Sequence, residues 1–251
     1  FDSLGAVFGP LLALIILYFL KDNVRQAFFV AVIPAVIAIV LLVIFVKEKK
    51  AASTQEKKKF VKISFRNMDS KLKLFMLISF IFAAGNSSDA FLLLNAKNLG
   101  LTTSMVVLMY VLYNISQTIF ATPAGILADK FGAKKVFAGG LLVFSLVYLF
   151  FGLVKSPFFL WFLFPVYGVY IAATDGISKA YLSEFIQKKE SGSYFGAYYS
   201  LNAIGTFLAS IVGGFLWQLV GPQATFFYGS LMAFTAFIIL MISQKRLGRI
   251  H

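Results

Sequence analysis

Cysteine is absent from the chain, and histidine occurs once, as the terminal His251. Without a thiol there is no disulfide framework, no thiolate metal site and no paired-cysteine redox chemistry. A lone terminal histidine supplies neither a catalytic dyad nor a zinc site. Charge is also scarce. Asp, Glu, Lys and Arg make up 13% of the residues, against about 25% in a typical soluble domain. These deficits predict no cofactor, no metal and no enzymatic role.

What fills the space is apolar: 60% of the 251 residues are hydrophobic and 30 are phenylalanine. Only a helix or a closed barrel satisfies its backbone within lipid, and a helix needs about 20 apolar residues to cross. Eight runs meet or approach that length, at 1–20, 27–46, 72–95, 102–127, 136–154, 157–182, 194–220 and 223–243, and none alternates as a barrel strand would. The expected fold is therefore an all-α, polytopic membrane helix bundle with eight transmembrane helices.

Basic residues are unevenly placed. Nineteen of the 23 Lys and Arg fall in 47–73, 130–135, 179–189 and 245–249, on alternate connections; Lys21, Arg25, Lys97 and Lys155 fall on the others. By the positive-inside rule this places the long 47–71 connection and the C-terminus in the cytoplasm of a multi-pass plasma-membrane protein. The net charge of +13 is thus read as topology, with lipid rather than nucleic acid as partner. The expected segments are 1–46, with two helices; 47–71, a basic linker; 72–243, with six helices; and 244–251, a tail. The chain does not start with methionine and reads as part of a longer protein.

A weak internal repeat sets Leu4-Gly5 opposite Ile204-Gly205, which pairs Asp2 with Asn202 inside the membrane. Between the runs 102–127 and 136–154 stands GILADKFGAKK. Gly125, Asp129, Lys130, Gly132, Lys134 and Lys135 in this segment resemble the cytoplasmic signature of the major facilitator superfamily. Physically, the glycines would permit a tight turn, and the carboxylate could accept hydrogen bonds at a neighbouring helix N-terminus.

That resemblance implies that the eight runs are helices five to twelve of twelve, with helices one to four of the same protein missing. It also implies that 72–95 and 157–182 line a central path and that 27–46, 136–154 and 223–243 face lipid. In the first run, Gly5, Gly9 and Pro10 resemble part of a glycine-proline signature of proton-driven antiporters, from which Leu11–Leu14 depart. The same residues also fit a small-residue packing face with a kink.

Charges inside a membrane are costly and point to function. Asp89, about 26 Å along a continuous helix from Leu72, is read either as a proton or cation-substrate site or as a structural carboxylate bonded to Asn86 or a neighbouring helix. Asp175 and Lys179, at i and i+4, can pair and are read as a gate-side ion pair. Asn86, Asp89, Tyr167, Tyr170, Thr174 and Asp175 are the path candidates. Tyr110, Tyr113, Tyr198, Tyr199, Asn114, Gln117 and Asn202 remain open between path lining and packing. The expected activity is secondary transport of a small organic solute by alternating access, with proton-coupled export favoured. An uncoupled facilitator, an importer and a non-transporting sensor are the alternatives.

Overall fold

A computed structural model describes residues 2–21, 23–45, 68–186 and 191–243. The expectations for the tail and for nearly all of the basic linker lie outside them. Every described span is helical: α1 (Asp2–Phe19), α2 (Val24–Phe45), α3 (Ser70–Gly85), α4 (Ala90–Asn98), α5 (Thr103–Phe131), α6 (Ala133–Leu153), α7 (Leu160–Ser183), α8 (Ser191–Leu219) and α9 (Pro222–Ile242). The protein is an all-α membrane helix bundle. Seven spans have the length and composition to cross a bilayer, counting α3 and α4 as one, and the apolar stretch of α1, Gly5–Phe19, is shorter.

Local chemistry sets the boundaries. The Asp69 side chain accepts from the Lys71 amide at 2.9 Å, and the Thr102 hydroxyl accepts from the Met105 amide at 3.3 Å, satisfying N-terminal donors that a helix leaves open. Gly132, at φ +93°, makes the turn from α5 into α6 by itself, a conformation that side-chain-bearing residues avoid.

Lipid offers no hydrophobic reward for helix association, so small residues must let backbones approach and polar pairs must add direction. α5 crosses α7 at Gly168, where an added Cβ would strike the Tyr113 carbonyl and come within 2.9 Å of the Gln117 amide. At Gly229 on α9, a Cβ would stand 2.6 Å from both the Gly85 carbonyl of α3 and the Tyr148 ring of α6. α6 and α9 are further joined by a reciprocal pair: Ser145 donates to the Ser230 carbonyl at 3.0 Å, and Ser230 to the Ser145 carbonyl at 2.7 Å. α3 lies against α8 and α9, α6 against α7 and α9, and α1 against α5.

Ring contacts fix which ends lie together. Phe75, near the start of α3, meets Phe137 at the start of α6, Tyr181 at the end of α7 and Tyr198 early in α8, with centroids 5.8, 4.9 and 5.9 Å away. At the opposite end, Phe226 meets Phe151 and Trp217. Lys71, Lys73, Lys134, Lys135 and Lys179 therefore share one end of the bundle.

Four expectations need correction. The run 72–95 is two helices, because Asn86-Ser87-Ser88-Asp89 supplies short polar side chains that compete with the backbone ladder. The run 136–154 does not simply face lipid: as α6 it has 11 of its 21 residues buried, since α7 and α9 cover two of its sides. α2, in contrast, has no buried residue.

The GILADKFGAKK segment is mostly helix. α5 continues to Phe131, and Asp129 is exposed with α6 capped by Gly132, which has no side chain to offer. The capping role expected of the carboxylate is thus not met among the described residues, although Lys130 lies 5.4 Å over the Phe131 ring. Finally, a Cβ at Gly5 or Gly9 would meet nothing within 4 Å, so this pair forms no close crossing among the described residues. The side chain of Asp2 lies outside them.

Candidate functional site

The break between α3 and α4 is the one place where a described span leaves helical geometry between its two ends. Unwound backbone at membrane depth survives only where protein or a polar cavity satisfies it. Here the Ser88 amide donates to Ser210 Oγ of α8 at 3.2 Å, and the Asn86 amide returns to the Phe82 carbonyl at 3.0 Å. The Ser88 hydroxyl accepts from the Ala90 amide at 3.3 Å and so starts α4.

Asp89 occupies the cap position of α4 but makes no side-chain cap bond. Its carboxylate turns instead to two neighbouring helices. Tyr167 of α7 donates to Oδ1 at 2.6 Å, and Tyr113 of α5 donates to Oδ2 at 2.9 Å. The close α5–α7 crossing at Gly168 is what brings both phenols to one carboxylate. Asn86 makes a separate tie, donating from Nδ2 to the Tyr170 hydroxyl at 3.1 Å.

Around these residues lies a cavity of about 450 Å³. One wall is polar and carries Asn86, Ser87, Ser88 and Asp89; the adjoining wall, from α8, carries Tyr198, Tyr199, Asn202 and Thr206. Tyr167, Tyr170, Thr174, Asp175 and Lys179 of α7 connect them, and Phe82 adds an apolar face. The Lys179 ammonium is 2.9 Å from Asp175 Oδ1, so the i,i+4 pair is formed at the basic end of the cavity.

All six path candidates, Asn86, Asp89, Tyr167, Tyr170, Thr174 and Asp175, line this one cavity. The Gly125–Lys135 segment, at the turn between α5 and α6, and Gly5, Gly9 and Pro10, on α1, lie elsewhere.

Tyr113 was among the undecided tyrosines. Its role at Asp89 was not visible because it depends on how α5 crosses α7. Tyr148 was not singled out. It is fully buried and stacks on Phe144 at 4.0 Å, and its hydroxyl and that of Ser87 reach no partner with hydrogen-bond geometry among the described residues. A tyrosine in a phenylalanine-rich run carries no signal of that kind.

The chemistry available is that of a half-buried carboxylate held by neutral phenols, within reach of a cavity large enough for an organic molecule. Among the described residues, no three His, Cys, Asp or Glu side chains gather as metal ligands would.

Comparison with known proteins agrees with this architecture. An uncharacterized MFS-type transporter of Methanocaldococcus jannaschii is 32% identical over 247 residues, which are 96% of this chain and 61% of that protein. Multidrug resistance protein 2 of Bacillus subtilis is 31% identical over 53% of this chain and 33% of its own length. The class B tetracycline resistance protein of Escherichia coli is 25% identical over 52% of this chain and 32% of its own length. The chain thus spans less than two thirds of each of these relatives. The family model described as Major Facilitator Superfamily matches residues 74–248, from the start of the α3 span through α9, and the chain belongs to that family.

Proposed function

We propose that this chain forms the back portion of a proton-coupled exporter of small organic solutes. It works by alternating access, together with the four preceding helices that a longer family member possesses. The observation that carries this reading is Asp89, a carboxylate at a helix break, facing a cavity, with its oxygens held at 2.6 and 2.9 Å by phenols from two other helices. Protonation would remove the charge that both phenols recognise. It would thereby alter the balance between conformations in which α4, α5 and α7 converge and those in which they separate. The names of relatives, multidrug and tetracycline resistance proteins, support export of organic molecules.

In this reading the basic end of the bundle, with Lys134 and Lys135, faces the cytoplasm of a plasma-membrane protein. The Asp175–Lys179 pair stands on the cytoplasmic side of the cavity as part of a gate.

The test is transport by the full-length protein in sealed vesicles, over a panel of solutes, with and without an imposed pH gradient. The expected result is gradient-driven flux that Asp89→Asn abolishes. Flux that ignores the gradient in the unaltered protein would make it a facilitator. Unchanged proton dependence in Asp89→Asn would remove this carboxylate from the mechanism.

A further inference from the structure

The charges lining the cavity suggest what kind of solute it takes, an inference that rests on the carrier reading above. Among the described residues, three charged side chains line it: Asp89, Asp175 and Lys179. Lys179 is committed to Asp175 at 2.9 Å. Asp89 is met by the hydroxyls of Tyr113 and Tyr167, which stabilise a negative charge without cancelling it. Two carboxylates against one ammonium leave a single formal negative charge, located at Asp89. The rings of Phe82, Tyr167 and Tyr170 also line the cavity and give it an aromatic wall beside that charge.

We infer that the cavity binds an organic monocation with an aromatic or aliphatic body. Asp89 is the counter-charge, and the Asp175–Lys179 pair sets the valence. The ion pair is the specificity element because it removes its own two charges from recognition. Breaking it from either side has opposite consequences. Lys179→Gln leaves two uncompensated carboxylates and favours a dication, whereas Asp175→Asn frees an ammonium that repels cations. The cavity volume of about 450 Å³ falls within the range of ligand pockets, roughly 300–1,000 Å³.

The test is equilibrium binding of radiolabelled benzyltrimethylammonium to the purified full-length protein. Benzyl alcohol, benzoate and the bis-quaternary dication hexamethonium serve as competitors. A quaternary ammonium cannot lose its charge by giving up a proton, so charge and shape are separated cleanly. Saturable cation binding is expected, with neither benzyl alcohol nor benzoate competing at comparable concentration. Lys179→Gln should strengthen hexamethonium competition roughly tenfold, and Asp89→Asn should weaken cation binding by at least roughly tenfold, as for a removed charge partner in a desolvated site.

Lys179→Gln also guards against misfolding, because a gain of binding requires a folded protein. The inference is overturned if benzyl alcohol or benzoate competes as well as the cation, if Asp89→Asn binds the cation as tightly as the unaltered protein, or if no saturable cation binding occurs. Failure here with gradient-driven flux intact refutes only the charge selectivity. Intact cation binding without gradient dependence refutes only the coupling.

Discussion

The 70–98 span and α6 begin as similar material, apolar runs rich in Phe, Leu and Ile, and end as opposites. α6 is continuous, and its polar groups within the run, Ser145 and Tyr148, are buried against neighbours. The 70–98 span carries four consecutive short polar residues, breaks at them, and turns the broken segment toward a cavity. The difference shows that placement matters more than the number of polar residues. A single serine inside an apolar run can return its hydrogen bond to the next helix, whereas an uninterrupted set of four gives the backbone other partners and the helix stops.

The two spans meet through α9, and the most severe way to break the comparison is at that point. Gly229→Leu would drive a side chain into the Gly85 carbonyl beside the break and into the Tyr148 ring of α6 at once. Overpacking of this kind costs about 3 kcal/mol, and more where a backbone carbonyl must yield. Thermal melting of the full-length protein in detergent should show a large drop, with part of the material aggregated on size-exclusion chromatography. A melting temperature equal to that of the unaltered protein would mean that α3, α6 and α9 do not meet there.

A smaller effect is expected from Ser145→Ala, which removes one half of the reciprocal bond to α9. Bonds between membrane helices are worth about 1 kcal/mol, so the melting temperature should fall modestly and transport should persist. Loss of transport with an unchanged melting temperature would instead assign Ser145 a functional role.

The smallest effect serves as the baseline. Val40→Leu on α2, where no residue is buried, should shift stability by less than about 0.5 kcal/mol. A larger change would reveal a packing partner for that face.

Much of this was legible in the residues. Bilayer-length apolar runs indicated an all-α membrane bundle and the order of its helices, although seven rather than eight spans have the full length. Six candidates, from Asn86 to Asp175, line a single cavity because polar residues in such runs have few other places to go. The i,i+4 spacing of Asp175 and Lys179 already specified their bond. The break at Asn86–Asp89 was not legible, since hydropathy averages over a run and passes smoothly across four small polar residues. Nor was the choice of Tyr113 and Tyr167 from several tyrosines, which depends on the contact that Gly168 allows. The burial of α6 was hidden for a different reason: in lipid, a packed helix and an exposed one can have the same composition.

The unwound residues also divide the mechanics of this span. α3 lies against α8 and α9, while α4 touches α5 and also reaches α8, where Phe91 meets Trp217 with centroids 5.5 Å apart, so the two halves share α8 and have only a few non-helical residues between them. The ladder is interrupted between them, so a change of angle between α3 and α4 would stretch no rung inside either helix. The bundle thus has a joint partway along one of its own columns, and the carboxylate of Asp89 stands at its α4 side.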